Sequence, residues 1–346
     1  MALYVDIEKK CGDFHLKVSF ETAGEVFAIL GASGCGKSMT LKCIAGIEKP
    51  DRGVIKLDDK ILFDSDKGIN VPVRKRGIGY LFQDYALFPN MTVLENIMCG
   101  AKDKKLAGEY IRRFYLEGKE NLYPAQLSGG QKQRVALARM LAADPDVILF
   151  DEPFSALDSY LKWQLELEII KVLENYKKDV LFVSHDRNEV YRLTDKIAVM
   201  DQGEIADIQY KDDLFHNPKT LAATLLTGCK NFSRLEKRED GRFFAADWGI
   251  YVTADKSLEE IKYVGFRAHY FETTSTIQDE NVVKCEIERV IEDTFSTVIM
   301  FRQEGNPVNT DWSLMRCEFP KEKWGQWKDK SLYLYIPQDK LILMTQ

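Results

Sequence analysis

A glycine-rich segment near the N-terminus has the residue types and the spacing that bind phosphate groups. It reads Gly31-Ala-Ser-Gly-Cys-Gly-Lys-Ser38, fits G-x-x-x-x-G-K-[ST], and follows the apolar run Val26–Leu30. Glycines let backbone N–H groups approach phosphate oxygens, and a following helix, predicted over Met39–Ile44, adds its positive dipole end. This order favours a nucleotide site over a turn without a ligand. Lys37 would contact the β- and γ-phosphates, and the Ser38 hydroxyl would ligate Mg²⁺.

The residues of this segment that we expect to contact the nucleotide are Gly31, Ala32, Ser33, Gly34, Cys35, Gly36, Lys37, Ser38 and Met39. The thiol of Cys35 would lie beside free N–H groups and the Lys37 ammonium. This setting predicts a lowered thiol pKa and ready alkylation if the sulfur is exposed. A small residue that merely fits the loop is the alternative for Cys35.

A second apolar run, Val147–Phe150, ends in two adjacent carboxylates, Asp151 and Glu152. Because successive side chains of a strand point to opposite sides, the two groups can divide the work. Asp151 is predicted to hold Mg²⁺ beside the phosphates, and Glu152 is predicted to act on the attacking water. An acidic strand end that only caps the next helix is the alternative, and the phosphate-binding pattern in the same chain argues against it.

A third segment, Leu127-Ser-Gly-Gly-Gln131, precedes a helical stretch over Lys132–Ala143. At a helix N-terminus it would form another anion site from free N–H groups and the helix dipole. The residues expected to contact phosphate here are Ser128, Gly129, Gly130 and Gln131. A capped helix without a ligand explains this segment equally well by itself. A compact monomer, however, would hardly need two phosphate-binding turns for one nucleotide.

Up to about residue 228, short apolar runs alternate with helical patterns in the sequence, as in parallel α/β folds. These segments would position the residues described above. Val26–Leu30, Val147–Phe150 and Val180–Val183 each end at a chemically capable residue. Ligands of parallel sheets bind at such C-terminal strand ends. A charged helical pattern between Asn96 and Gln126 predicts an inserted subdomain.

The remainder of the chain differs from the α/β part in composition and in hydrophobic pattern. The polar and basic stretch Thr227–Arg242 is predicted to be a linker, and the alternating stretches Val282–Val290 and Ser331–Ile336 beyond it predict strands. The sequence therefore predicts a second, small β domain after the α/β part.

Composition and charge exclude several classes of protein. The 346 residues carry a net charge of −6, which argues against broad electrostatic binding of nucleic acid. No run approaches the roughly 18–20 apolar residues that span a bilayer, and the start lacks the regions of a signal peptide. Seven cysteines are scattered without a Cys-x-x-Cys pair, which predicts reduced thiols. We expect a soluble cytosolic chain with no nucleic-acid partner.

The three segments resemble motifs of ABC transporter ATPases. Gly31–Ser38 resembles Walker A, Leu127–Gln131 the signature sequence LSGGQ, and Val147–Pro153 Walker B. Gln83, within Tyr80–Pro89, is similar to the Q-loop glutamine of that family. Asp158, within Ser155–Asp158, is similar to its D-loop, and His185 to its switch histidine. The resemblance covers about residues 1–228 and implies an α/β P-loop NTPase domain, with a parallel sheet core and a helical subdomain at about 96–143.

The resemblance implies ATP and Mg²⁺ as cofactors. Glu152 would be the general base, His185 the sensor of the γ-phosphate, and Gln83 a metal ligand and relay to the membrane subunit. Two copies would pair head to tail, so that each ATP lies between Walker A of one copy and the signature sequence of the other. Phe14 is the candidate for stacking on adenine, with core packing as its alternative.

The resemblance further implies partners and a location. The partners would be a second copy, integral membrane permease subunits and, indirectly, a substrate-binding protein. The chain would be cytoplasmic and peripheral on the inner face of the cell membrane. The stretches Leu62–Pro72 and Arg76–Gln83 resemble those of oxyanion and metal-ion importers. Thr227–Ser233 resembles the start of the C-terminal domain in molybdate importer ATPases, which implies molybdate or tungstate as cargo. Sulfate, ferric iron and polyamines are the alternatives.

Residues 229–346 are predicted to form a small OB-like β-barrel from their alternating segments. By resemblance to the tails of importer ATPases, this domain would add to the dimer contact and regulate transport. Thr294, Ser296 and Thr297 are candidates for an oxyanion site, although Glu292 and Asp293 adjoin them. A purely structural barrel is the alternative.

Two rival functions share part of the pattern. A soluble ABC ATPase without a membrane partner would need a long coiled-coil insert or a second cassette, and the sequence shows neither. A GTPase would share only the phosphate-binding loop, and the sequence has no Asn-Lys-x-Asp guanine-recognition motif.

Overall fold

The computed structural model describes residues 2–155, 159–174, 176, 178–253, 261–275, 280–307, 309–325 and 332–345, with only the backbone for 159–161. The chain divides into two compact units, Met1–Lys211 and Asp212–Gln346. The boundary predicted after residue 228 stays a prediction. No helix in the described ranges is long and apolar enough to span a membrane.

The N-terminal unit contains one eleven-stranded mixed sheet, in the order β6-β5-β4-β1-β2-β11-β10-β3-β9-β8-β7. Its strands are β1 Leu3–Cys11, β2 Phe14–Glu21, β3 Val26–Gly31, β4 Arg52–Leu57, β5 Lys60–Asp64, β6 Ile69–Asn70, β7 Ile78–Leu81, β8 Val147–Asp151, β9 Asp179–Ser184, β10 Lys196–Asp201 and β11 Glu204–Tyr210.

The helices of the same unit lie between these strands. They are α1 Lys37–Ala45, α2 Val93–Met98, α3 Lys104–Arg113, α4 Gly129–Ala142, α5 Ser159–Leu173 and α6 Arg187–Leu193. Helices α2, α3 and α4 contact one another and form the helical part that the sequence predicted between Asn96 and Ala143.

Parallel pairing joins β10, β3, β9, β8 and β7 in the centre of the sheet. Every side chain of β8 and β9 is buried, which explains why these strands appear in the sequence as unbroken apolar runs. The predicted runs Val147–Phe150 and Val180–Val183 are confirmed as strands. Because parallel strands place their C-terminal ends at one edge of the sheet, the loops after β3, β7, β8 and β9 share that edge.

The C-terminal unit is the small β domain that the sequence predicted. Its strands are β12 Asn231–Lys237, β13 Phe243–Ala245, β14 Ile250–Val252, β15 Tyr263–Phe266, β16 Glu272–Thr273, β17 Val282–Glu292, β18 Ser296–Gln303, β19 Met315–Pro320, β20 Tyr333–Tyr335 and β21 Ile342–Met344. Its short helices are α7 Lys211–His216, which begins at the last residue of the N-terminal unit, α8 Leu221–Leu226 and α9 Lys321–Trp324.

Two antiparallel five-stranded sheets, β14-β13-β12-β15-β21 and β16-β20-β17-β18-β19, enclose a shared hydrophobic core in this unit. The curled sheets are of the predicted OB-like type. The prediction of a linker over Thr227–Arg242 was wrong, because Asn231–Lys237 is strand β12. Asn231, Phe232, Ser233 and Leu235 of β12 are buried, so the polar composition of this stretch did not indicate that both faces of the first half of the strand are buried.

Candidate functional site

The phosphate-binding loop, residues 31–38, connects β3 to α1 as the sequence predicted. Gly34 and Gly36 have φ angles of 83° and 110°, which side chains rarely tolerate. A Cβ atom on Gly31 would lie 2.5 Å from the carbonyl oxygen of Met200, on neighbouring strand β10. The glycines therefore permit both the turn and its close packing, and the loop presents backbone groups rather than side chains.

The ammonium group of Lys37 folds back over this loop. Its Nζ donates hydrogen bonds of 2.9 Å to the carbonyl oxygens of Gly31 and Ala32, and it lies 3.8 Å from Oε1 of Glu152. Lys37 is only 4 % exposed. The two carbonyl oxygens hold the ammonium group at the loop, where it could form a charge-assisted hydrogen bond with an anionic ligand.

Asp151 ends strand β8, and each of its carboxylate oxygens accepts a hydrogen bond from a hydroxyl group. Ser38 Oγ donates to Oδ1 at 2.7 Å, and the Tyr80 hydroxyl donates to Oδ2 at 2.7 Å. Burial and the Asp151 charge raise the pKa of Tyr80 well above its usual range, so the phenol stays a donor. The sequence predicted the pairing of Ser38 with Asp151 at one metal site but gave no sign of Tyr80.

Glu152 lies beyond the end of β8 and has a left-handed backbone, with φ of 46°. Such a conformation costs about 1–3 kcal/mol for a residue other than glycine and is concentrated at functional sites. Its N–H donates to the Val183 carbonyl oxygen on β9, at 3.0 Å. The two carboxylates thus diverge through this backbone turn, and the predicted reason, side-chain alternation along the strand, was wrong.

The side chain of Glu152 faces the end of β9. Its Oε2 lies 3.1 Å from Nδ1 of His185, the residue that directly follows this strand. The imidazole is half exposed, with 51 % of the side chain accessible, whereas the glutamate side chain is 17 % accessible. His185 is therefore placed to contact a ligand while it orients Glu152.

Asp186, the residue after His185, forms an ion pair with helix α5, which follows the predicted D-loop. Lys162 on α5 donates to Oδ2 of Asp186 at 2.6 Å and pairs with Oε1 of Glu189 at 2.5 Å. These contacts fix the start of α6 and, with it, the chain direction at His185. Asp158, also predicted to contact nucleotide, lies outside the described residues.

Gln83 lies in the turn after β7 and joins the same network from the other side. Its Nε2 donates to Ser155 Oγ at 3.1 Å, and Ser155 Oγ donates to the Glu152 carbonyl oxygen at 3.0 Å. Gln83 is exposed, and its amide oxygen is the acceptor atom of the side chain. Two hydrogen bonds therefore connect Gln83 to the backbone of Glu152.

The signature turn, residues 127–131, begins helix α4. Ser128 Oγ accepts from the Gln131 N–H at 3.3 Å, and Gln131 Oε1 accepts from the Ser128 N–H at 3.0 Å, a reciprocal capping box. The first-turn N–H groups of Gly129 and Gly130 have no carbonyl partner inside the helix. Among the described residues, the hydrogen bonds that join Ser38, Tyr80 and Asp151 do not include this turn.

The sulfur of Cys35 is enclosed by the loop that contains it. The residue is 6 % exposed, and a Cβ atom on Gly31 would lie 2.6 Å from its Sγ. Burial raises the pKa of the Cys35 thiol, although the Lys37 charge opposes this effect. The predicted lowered pKa was therefore wrong, because desolvation of the thiolate outweighs the nearby cation. Met39 packs partly buried against the core.

Phe14 lies at the start of β2, beside the phosphate-binding loop. A Cβ atom on Gly36 would meet the Phe14 ring at 3.0 Å, and the ring also packs against the hydrophobic core. The ring is thus next to the loop, as adenine stacking requires, and it also has the packing role that was the alternative.

The oxyanion candidates in the C-terminal unit do not converge. Thr297 is buried, whereas Thr294 is exposed in the turn before β18 and donates its N–H to Oδ1 of Asp293 at 2.7 Å. Ser296 and Thr297 are adjacent in β18, so their side chains point to opposite faces. The predicted oxyanion site at these residues is therefore not supported.

The fold and this site define a P-loop nucleoside triphosphatase. A family description, ABC transporter, matches residues 15–155. A dimeric, post-hydrolysis structure of the ATP-binding cassette MJ0796, bound to ADP and Pi, superposes with a TM-score of 0.52 and 32% identity. The superposition covers 61% of this chain and 99% of that chain.

Curated relatives extend the match. The sulfate/thiosulfate import ATP-binding protein CysA of Mesorhizobium japonicum is 37% identical over 259 residues, 71% of this chain and 73% of that protein. The trehalose/maltose import ATP-binding protein MalK of Thermococcus litoralis is 37% identical over 254 residues, 70% and 68% of the two chains. The Fe(3+) ions import ATP-binding protein FbpC of Haemophilus influenzae is 39% identical over 213 residues, 59% and 60%.

The chain belongs to the ABC transporter family, as an ATP-binding subunit. It binds ATP and is an ATPase, which confirms the prediction from the three phosphate-site segments.

Proposed function

We propose that this chain hydrolyses MgATP at the site described above to energise an importer. One observation supports this proposal above all: three features lie together at one edge of the sheet. They are the phosphate-binding loop with Lys37, the hydrogen-bonded pair Ser38 and Asp151, and the pair Glu152 and His185. The import names of relatives that match this chain over two thirds of their own length support the direction.

The donor atoms at Asp151 fit Mg²⁺. A carboxylate oxygen and a hydroxyl oxygen 2.7 Å apart are hard ligands beside the phosphate-binding loop. Mg²⁺ is typically bound by one or two protein oxygens together with substrate phosphates and water. The bound ion would neutralise charge that develops on the phosphates. Ser38, Asp151 and the amide oxygen of Gln83 are the proposed ligands.

The residues around the ion have separable proposed roles. Lys37 and the loop N–H groups bind the phosphates, while Glu152 orients a water molecule and accepts its proton. His185, 3.1 Å from Glu152, holds that carboxylate and contacts the γ-phosphate. The backbone hydrogen bond from Glu152 to Val183 holds the turn that carries this carboxylate.

The signature turn is proposed to act on the nucleotide of a second copy. Its first-turn N–H groups form an anion site at the start of α4. The dimeric state of MJ0796 supports a paired arrangement. In the proposed head-to-tail dimer, each ATP lies between the phosphate-binding loop of one copy and the signature turn of the other.

The remaining proposed partners are integral membrane permease subunits, which would place the chain on the cytoplasmic face of the membrane. As cargo we propose a tetrahedral oxyanion, either molybdate or sulfate. The stretch Thr227–Ser233, which resembles molybdate importer ATPases, favours the former, and the sulfate/thiosulfate relative favours the latter. Relatives of similar identity are named for Fe(3+) and for trehalose/maltose, so identity in the ATPase part alone does not fix the cargo.

Purification of the tagged chain from membranes of cells that express it naturally tests the importer proposal. We expect an integral membrane protein to co-purify. In liposomes, the complex with its binding protein should show ATPase activity stimulated by molybdate, tungstate or sulfate. Stimulation by ferric iron or putrescine instead would overturn the oxyanion cargo. Recovery of an active chain with no membrane protein would favour the soluble ABC ATPase.

A further inference from the structure

Tyr80 makes a contact that the proposed chemistry does not use. It lies on β7, whose parallel register with β8 places Tyr80 opposite Leu149 and Leu81 opposite Phe150. From this neighbouring strand its hydroxyl reaches past the end of the pairing and donates to Oδ2 of Asp151 at 2.7 Å. The carboxylate is thereby held from two separate elements, because Ser38 on α1 donates to Oδ1 at the same distance.

The two hydroxyl groups cannot have the same role. Ser38 belongs to the phosphate-binding loop, and its oxygen is a proposed metal ligand. Tyr80 contacts the other carboxylate oxygen, so it can fix the orientation of Asp151 without being a ligand itself. Partners of metal ligands commonly act in this way, and their removal typically weakens metal binding about 10–100-fold.

Packing fixes the position of the Tyr80 ring. The ring contacts that of Phe82, with a centroid distance of 4.2 Å and the ring planes tilted by 31°, and it packs against the hydrophobic core of the N-terminal unit. A phenol clamped on its apolar side has few alternative orientations for its hydroxyl group. Its hydrogen bond to Asp151 is therefore preorganised before any ligand arrives.

We infer that Tyr80 is a positioning residue for the metal site, which sets the affinity for Mg²⁺ by orienting the Asp151 carboxylate. This inference rests on the proposed role of Asp151 as a metal ligand. We therefore expect the loss of the Tyr80 hydroxyl to weaken Mg²⁺-dependent ATP binding. ATP binding without metal should not change, because Tyr80 does not contact Lys37 through this hydrogen bond.

The test is a Mg²⁺ titration of the full-length chain with a fluorescent ATP analogue, repeated with the analogue in excess EDTA. We expect Tyr80→Phe to raise the half-saturating Mg²⁺ concentration about tenfold, with the EDTA affinity unchanged. Tyr85→Phe is the matched control. Its hydroxyl donates to Gln133 Oε1 at 3.4 Å, its side chain is buried, and the loss of this hydroxyl should leave both titrations unchanged.

An Asp151→Asn background separates a positioning role from a structural one. There, adding Tyr80→Phe should produce no further change in Mg²⁺ dependence, since the carboxylate that Tyr80 orients is absent. A Mg²⁺ titration of Tyr80→Phe that superposes on the wild-type curve would overturn the inference. Tyr80→Met, which also lacks the hydroxyl, replaces Tyr80→Phe if that variant does not fold. If wild-type binding itself ignores Mg²⁺, the proposed function fails instead.

Discussion

Oε2 of Glu152 lies 3.1 Å from Nδ1 of His185, although the two residues are 33 positions apart in the sequence. The contact exists because β8 and β9 are parallel neighbours that end at the same sheet edge, and because the backbone of Glu152 turns into the left-handed region. Glu152 is thereby held between an imidazole and the Lys37 ammonium, 3.8 Å from its other oxygen.

Glu152→Gln should stop turnover while preserving ATP affinity. An amide fills the same space but cannot accept the proton of the attacking water, so we expect a loss in kcat of about 10²–10⁴-fold. The variant should accumulate an ATP-bound dimer, measurable by size-exclusion chromatography with MgATP. Glu117→Gln, at an exposed glutamate outside the site, is the control and should retain full activity.

Lys37→Ala, unlike Glu152→Gln, should abolish ATP binding itself. Without the buried ammonium the phosphates lose their main cation, so ATP binding itself should become undetectable by equilibrium dialysis at micromolar nucleotide. Near-normal turnover in Glu152→Gln, or near-normal binding in Lys37→Ala, would contradict the assignment of that residue.

Cys35 should react slowly with iodoacetamide at neutral pH, with or without MgATP. Burial raises the pKa of its thiol and encloses the sulfur, so little thiolate is available. Cys99, an exposed cysteine, is the internal control and should be labelled first. Peptide mass spectrometry over a time course measures both. Labelling of Cys35 as fast as that of Cys99 would show that the loop opens readily.

Arg76→Met should destabilise the N-terminal unit by about 2–4 kcal/mol. The fully buried guanidinium donates to the carbonyl oxygens of Val71, Cys43 and Ile44 and to Oδ1 of Asn70, and these acceptors would lose their partner. Two of these carbonyls belong to α1, the helix that carries Lys37 and Ser38 at its other end.

Urea unfolding of Arg76→Met and of the wild type gives this difference in free energy. Arg74→Met removes an exposed arginine from the preceding turn and should change the stability by less than about 0.5 kcal/mol. Equal midpoints for the two variants would mean that water replaces the guanidinium at the end of α1.

Asp179→Asn should stabilise the protein at pH 7 to 8. Burial raises the pKa of the Asp179 carboxyl, and its Oδ2 has no hydrogen-bond partner in the described structure. Because the folded pKa lies above the unfolded one, the charged form opposes folding, and wild-type stability decreases as the pH rises through the folded pKa. The amide keeps an acceptor for the Gly24 N–H, now bonded to Oδ1, and carries no charge.

Denaturant unfolding at several pH values measures this effect. The advantage of Asp179→Asn should be on the order of 1 kcal/mol at pH 8 and should shrink as the pH falls through the raised pKa of the wild-type carboxyl, because that carboxyl then becomes protonated. A difference that is constant with pH would mean that the charge of Asp179 is not its source.

The elements that carry the phosphate chemistry could be predicted because their signals are local. A strand followed by glycines, a lysine and a serine must turn and start a helix, whatever surrounds it. Strands β8 and β9 could also be predicted locally, because strands buried on both faces appear as continuous apolar runs. Strand β12 was missed because its buried positions include the polar residues Asn231 and Ser233 and its exposed positions carry charges, so no apolar run indicates the strand.

The sequence by itself determined the reaction class, because backbone N–H donors, one lysine and a pair of carboxylates at these spacings suit a nucleoside triphosphate. The tertiary structure decided which groups act together. Tyr80 meets Asp151 because β7 pairs with β8, and Cys35 is buried because its loop encloses it. Hydrogen bonds between strands distant in sequence and desolvation by neighbouring atoms depend on spatial proximity, and no local pattern of residues encodes either.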